Sequence, residues 1–323
     1  MTDRDDKTKD ASRSPLTPPD ETAPDGIEEK VTDAEPGNAP KDATHSEDPG
    51  SADVHPSEYK KIVAVLDNPG KKAVVEARDV VVRYGPNTIL NGVSFDVYEG
   101  EIFVILGGSG CGKSTLLRQL IGLETPAEGT VKIDGEDITH AEGRDRERIL
   151  TRIGALFQSG ALFGSMTLAE NIALPLREYT NLPEDLIQTL VSLKLDLVNL
   201  AGFENHLPSE ISGGMKKRAG LARALALDPH ILFCDEPSAG LDPISSVELD
   251  HLLIELNRSL GLTIVVVTHE LDSIFAIAHR VIMLDKSVKN IIATGDPREL
   301  KEKSTHPFVR NFFNRQSDGV GSA

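Results

Sequence analysis

Nine consecutive residues constrain this chain more than any other stretch. Gly107-Gly108-Ser109-Gly110-Cys111-Gly112-Lys113-Ser114-Thr115 satisfies G-x-x-x-x-G-K-[ST]. Ahead of it Glu101 to Leu106 is a short, nearly continuous apolar run, and after it Ser114 to Leu123 is helical, so the expected context is strand, glycine-rich loop, helix. Lacking Cβ atoms, the glycines let the loop wrap a phosphate, with successive N–H groups and the following helix N-terminus facing the anion. Lys113 is expected to reach the β- and γ-phosphates and the Ser114 hydroxyl to ligate Mg²⁺. By itself the loop implies only a nucleoside triphosphate.

The periodicity around it sets the fold class. Val74 to Tyr84 and Val93 to Tyr98 alternate and are rich in β-branched residues, with Gly85, Pro86 and Asn87 as punctuation, and read as an antiparallel layer. Ala155 to Phe157, Ile231 to Cys234, Thr263 to Thr268 and Arg280 to Leu284 are further short apolar runs with helical segments between several of them. Strands alternating with helices predict an α/β fold: a mainly parallel sheet covered on both faces. Between Phe157 and Ile231 the pattern is mostly helical (Leu186 to Val198, Met215 to Ala226), which predicts a helical subdomain inserted at about 158–228.

One of those runs, Ile231 to Cys234, delivers Asp235 and Glu236 at its C-terminal end. Asp235 is placed to hold Mg²⁺, usually through water because that ion dehydrates reluctantly. Glu236 is placed to polarise the attacking water as general base. The bland alternative for such a pair is helix capping.

Composition bounds the rest. The chain has 323 residues with 34 Lys+Arg against 51 Asp+Glu, a net charge of −17, which disfavours a nucleic-acid partner. Residues 1 to 60 hold 16 acidic and 7 basic residues and eight of the 19 prolines, so residues 1–72 read as a disordered acidic tail and not as a secretory signal. Lys60 to Asp67 could form a short element, closed by Pro69 and Gly70. Two cysteines cannot build a disulfide framework, which suits a reducing cytoplasm. No apolar run approaches the roughly 18 residues needed to cross a bilayer.

Ile211-Ser212-Gly213-Gly214-Met215, then Lys216, Lys217 and Arg218, then Leu221-Ala222-Arg223-Ala224-Leu225, resembles the ABC-transporter signature and its helix. Around it stand, in order, Tyr84, the phosphate loop, Gln158, Asp235-Glu236, Ser238-Ala239-Gly240-Leu241-Asp242 and His269. The resemblance covers Ala73 to about Leu300. It implies a P-loop NTPase of the ABC type over 73–303, with a C-terminal helical extension and tail over 304–323, that binds ATP and Mg²⁺ as a head-to-tail homodimer. Ser212, Gly213, Gly214 and Met215 then meet the partner's γ-phosphate at a helix N-terminus, and Asp242 contacts the partner across the seam. The resemblance further implies that Tyr84 stacks on adenine, that Gln158 links Mg²⁺ or water to the helical subdomain, and that His269 fixes the γ-phosphate and the water. Met215 replaces the common Gln and loses a possible ribose contact. Lys216, Lys217 and Arg218 read as a solvated helix face, and Cys111 and Cys234 as small packing residues.

Within that family the chain is most similar to ATPases of the maintenance-of-lipid-asymmetry (Mla) type. Phe157-Gln158-Ser159-Gly160-Ala161-Leu162-Phe163, Met215, Asp242-Pro243-Ile244-Ser245 and His306 to Phe313 carry this resemblance. It implies an integral membrane permease and an Mce-domain substrate-binding protein as partners, phospholipid or a related hydrophobic molecule as cargo, and a peripheral position on the cytoplasmic face of the inner membrane. Ser159 to Met166 is the expected permease-docking surface. An ATPase for amino acids or another small solute is the alternative; a DNA-repair or translation ABC protein lacks its expected inserts or second cassette here, and intact Lys113, Asp235, Glu236 and His269 argue against a module that has lost hydrolysis. The apolar stripe at Phe308, Val309, Phe312 and Phe313 is expected to pack on its own domain or on the dimer partner.

Overall fold

The computed structural model describes residues 70–315. The expected acidic tail up to residue 69, the Lys60 to Asp67 element and the last eight residues of the expected C-terminal extension lie outside the described residues. Two sheets organise the rest.

In the first, β1 (Ala73–Tyr84) and β2 (Asn87–Tyr98) form an antiparallel hairpin, and β4 (Glu128–Ile133) and β5 (Glu136–Asp137) extend it to the order β2-β1-β4-β5. Strand β2 begins at Asn87, opposite Tyr84, six residues before the alternation predicts. Register shifts between Val80 and Val82 and between Val82 and Arg83 break the period-2 pattern there, so Asn87 to Asn91 pair without displaying it.

In the second, β3 (Ile102–Gly107), β6 (Ile153–Leu156), β7 (Ile231–Asp235), β8 (Thr263–Val267), β9 (Arg280–Asp285) and β10 (Asn290–Gly295) run in the order β10-β9-β3-β8-β7-β6. All neighbours are parallel except β10 and β9. Both faces are covered. Ile102, Val104, Leu232, Cys234, Ile264 and Val266 enter one core, while Phe103, Ile105, Phe233 and Val265 enter the other. That is why these strands read as unbroken apolar runs.

The second core also takes the antiparallel sheet and Leu116, Leu117 and Leu120 of α1 (Lys113–Leu120). After α2 (Gly143–Leu150), the helices α3 (Leu168–Tyr179), α4 (Glu184–Leu197) and α5 (Gly213–Ala224) form the inserted helical segment and pack into the first core. A capping box fixes the start of α3: Thr167 Oγ1 accepts the Glu170 N–H at 3.2 Å and Glu170 accepts the Thr167 N–H at 2.7 Å. The chain continues through α6 (Pro243–Leu260), α7 (Leu271–Ile277), α8 (Pro297–Lys303) and α9 (Pro307–Phe313). Of the two surfaces expected for the α9 stripe, the domain's own is occupied: Val309 and Phe313 are buried in the first core, and the Phe313 ring lies 5.7 Å from Phe275. Among the described residues no helix is long and apolar enough to cross a membrane.

Candidate active site

The C-terminal ends of β3, β7 and β8 meet at one edge of the parallel sheet, where such sheets place ligands. The phosphate loop leaves β3 there. Two of its glycines are required by geometry: Gly107 has φ 148° and a Cβ on it would stand 2.4 Å from the Leu284 carbonyl oxygen, while Gly112 has φ 102° and its Cβ would stand 2.8 Å from Leu90 Cδ2. Gly108, Ser109, Gly110 and Cys111 complete the loop, with Ser109 and Gly110 exposed and Cys111 buried. Helix α1 starts at Lys113 with no side-chain cap and no acidic residue in its own first turn, so no side chain of that turn occupies its N-terminal amides. The Lys113 ammonium folds back over the loop, donating to the carbonyls of Gly107 at 3.0 Å and Gly108 at 3.3 Å. A glycine-rich loop, a helix N-terminus and an ammonium brought together are a fit for a polyphosphate.

Ser114 Oγ donates to Asp235 Oδ1 at 3.2 Å, across 121 residues of sequence. Burial pushes the Asp235 carboxyl up, against the Ser114 hydrogen bond that lowers it. One carboxylate and one hydroxyl beside a phosphate cradle suit Mg²⁺, which keeps waters and is held mainly through substrate oxygens. Among the described residues no group of three or more His, Cys, Asp or Glu side chains could hold a metal by itself.

Glu236 follows in the left-handed region, φ 47°. That conformation costs roughly 1–2 kcal/mol for a residue with a Cβ. Its N–H donates to the Val267 carbonyl at 2.8 Å, and its own carbonyl accepts from the Ala239 N–H at 3.2 Å and from Lys217 Nζ at 3.2 Å. A hydrogen bond from a charged donor contributes about 1.5–3 kcal/mol, enough to offset the strain. The carboxylate, with its side chain 13% exposed, sits against His269, whose Nδ1 is 2.8 Å from Oε1 and 3.0 Å from Oε2. A carboxylate only accepts, so Nδ1 carries the proton and Nε2 is left for another partner.

Lys217 corrects the expectation of a solvated helix face. It is 5% exposed, and burial pushes its ammonium down. Its neighbour Arg218 pairs with Glu248 instead. Its charge argues for water, and the partner that makes its burial tolerable, the Glu236 carbonyl just past β7, comes later in the sequence. Glu124 is a second residue the sequence does not single out. It accepts the Tyr84 phenol and the Gln119 amide, the latter at 3.1 Å, and its hydrogen bond holds the phenol above its ordinary pKa. Tyr84 ends β1 with 45% exposure.

The signature residues and Asp242 form a second, separate group. Ser212 caps α5, its Oγ accepting the Met215 N–H at 3.2 Å, and Ser212 and Gly213 are exposed. A Cβ on Gly214 would touch Ser245 Oγ at 3.4 Å, so the N-termini of α5 and α6 stand side by side. Asp242 caps α6 through the Ile244 and Ser245 amides at 3.1 and 3.0 Å, which is its intrachain role. Gln158 lies exposed just past β6, and the loop beyond it is gripped by Arg223, which donates to Ala161 O at 2.8 Å and Gly160 O at 3.2 Å. Cys234 is fully enclosed, and both thiols are pushed up by burial.

A family model described as ABC transporter matches residues 90–239. The chain is 44% identical over 245 residues to the "Probable ribonucleotide transport ATP-binding protein mkl" of Mycobacterium leprae, covering 76% of this chain and 70% of that one. It is 43% identical over 250 residues to the "Intermembrane phospholipid transport system ATP-binding protein MlaF" of Escherichia coli K12, covering 76% and 90%. Among solved structures, a dimeric post-hydrolysis state of the ATP-binding cassette MJ0796 bound to ADP and Pi matches with a TM-score of 0.63 and 31% identity, over 69% of this chain and 98% of that one. With the strand–loop–helix phosphate cradle, the acidic pair on β7 and these likenesses together, the chain belongs to the ABC transporter family, as an ATP-binding subunit that hydrolyses ATP.

Proposed function

We propose that this chain powers a membrane permease for phospholipid or a related hydrophobic molecule, working as a homodimer at the cytoplasmic face of the inner membrane beside an Mce-domain substrate-binding protein. The observation that carries this reading is the 40–43% identity, over 90–92% of their length, to intermembrane phospholipid transport ATP-binding proteins. The name ribonucleotide transport on a 44% identical relative favours a small polar solute as the second reading.

In the proposed site, the loop from Gly107 to Thr115 and Lys113 bind the phosphates and Tyr84, its phenol anchored by Glu124, offers its ring to adenine. Ser114, Asp235 and Gln158 hold Mg²⁺, which supplies charge neutralisation on the phosphates. Glu236 accepts a proton from the attacking water, and His269, oriented by its Nδ1 bond to Glu236, presents Nε2 toward the γ-phosphate. Ser212 and Gly213, exposed at the α5 N-terminus, and Gly214 and Met215, half-buried behind them, complete the partner's pocket, with Asp242 beside them. ATP bridges the two chains and hydrolysis removes the bridge, giving a closed-to-open switch. Ser159 to Met166, anchored by Arg223, forms the permease-facing surface.

The test is purification of the tagged full chain from detergent-solubilised membranes, with co-purifying proteins and lipids identified by mass spectrometry. A permease with an Mce-domain protein and bound phospholipid is expected. A permease with a solute-binding protein for a polar molecule and no Mce-domain protein overturns the lipid reading.

A further inference from the structure

Helix α5 touches three places that sequence separates. Its N-terminus presents Ser212 and Gly213 at the surface. One turn on, Lys217 turns inward and reaches the Glu236 carbonyl. A turn beyond that, a Cβ on Gly220 would stand 2.9 Å from the Gly160 carbonyl, and Arg223 holds Gly160 and Ala161, so the helix is also locked to the loop after Gln158.

At Glu236 the backbone is held by three hydrogen bonds. The Val267 carbonyl belongs to the neighbouring strand and the Ala239 amide to the turn after β7. Both are internal to the sheet edge that carries the site. Among the hydrogen bonds of the described residues, that of Lys217 is the one that brings the helical segment to the Glu236 backbone, at a left-handed position whose rotation swings the carboxylate relative to His269. The side chain is enclosed, so no water substitutes for it at that carbonyl without rearrangement.

We propose that Lys217 is a positioning residue for hydrolysis: its bond to the Glu236 carbonyl makes the aim of Glu236 depend on where α5 sits. Because the same helix carries Ser212 and Gly213 at one end and grips the Gln158 loop at the other, seating of α5 on a partner's phosphates, or a push on that loop, reaches Glu236 through this one side chain. The proposal rests on the reading of Glu236 as the base and of α5 as the partner-facing helix.

The full 323-residue chain carrying K217M, K217Q or E236Q tests it, with MgATP turnover measured by phosphate release and affinity by a fluorescent ATP analogue. K217M keeps the length and loses the donor. It is expected to lower kcat by about 10- to 100-fold, with KM and analogue affinity within about threefold of wild type. K217Q retains a donor and is expected to restore kcat to within about threefold of wild type. If K217M does not fold, K217A must show the same kcat-selective loss. A folded K217M or K217A with wild-type kcat, a K217Q as slow as K217M, or a loss of affinity that matches the loss of turnover overturns the proposal. A wild-type rate in E236Q refutes the base reading itself, whereas a slow E236Q beside a wild-type K217M refutes only the role of Lys217.

Discussion

Glu236→Gln isolates proton acceptance from everything else the residue does. Gln has nearly the same volume, and its amide oxygen can still accept the His269 Nδ1–H bond that now measures 2.8 Å. The backbone bonds to Val267, Ala239 and Lys217 do not involve the side chain, so the left-handed turn persists. What disappears is a carboxylate able to take the proton of the attacking water. General-base catalysis contributes about 10²- to 10⁴-fold, which at 1.36 kcal/mol per tenfold is about 2.7–5.4 kcal/mol of barrier. Phosphate release by the complex purified from membranes should therefore fall by about that factor. ATP affinity should be retained, and size-exclusion chromatography with MgATP should show a persistent two-chain species. A steady-state rate within about threefold of wild type, with ATP bound, would refute the assignment of Glu236 as base.

Three further outcomes are expected. Lys113→Ala removes the ammonium that now spans the Gly107 and Gly108 carbonyls, and calorimetry should show ATP affinity reduced at least about 100-fold, the scale of losing a charge partner of a phosphate. Glu101→Ala strands Arg280, whose side chain is 13% exposed and lies 4.8 Å from the ring centroids of Tyr98 and Phe103; a cost of up to about 3–5 kcal/mol should lower the melting temperature by up to about 6–20 °C in calorimetry, and an unchanged melting point would refute a stabilising role for the pair. Burial pushes Cys111 and Cys234 up, so the thiolate fraction at pH 8 lies below that of a free cysteine and rises only at higher pH; alkylation of the native protein at pH 8 should be much slower than in denaturant for both residues.

The phosphate loop, the acidic pair on β7 and the parallel strands were legible in the sequence because each is a short-range pattern. A strand buried on both faces must be apolar throughout, a loop that wraps phosphate needs glycine where a Cβ would strike Leu284 or Leu90, and a carboxylate at a strand end needs only the strand. The same local logic gave the apolar stripe of α9. It failed at β2, where register shifts hide the alternation from Asn87 onward. It also failed at Lys217, which shares the inward face of α5 with Gly220 and Leu221 at spacings of three and four, yet carries a charge that composition assigns to water.

Residue identity and spacing thus determined which chemical groups this protein brings to its candidate site and the strand–loop–helix that displays them. Tertiary structure decided which of those groups touch: Ser114 with Asp235, His269 with Glu236, Tyr84 with Glu124, and Lys217 with the Glu236 carbonyl. Each of these contacts joins segments 19 to 121 residues apart. Periodicity tells an element which face to bury, while the identity of the group waiting on the other side depends on strand order and helix docking, and a buried charge is tolerated only where that group is a hydrogen-bond partner.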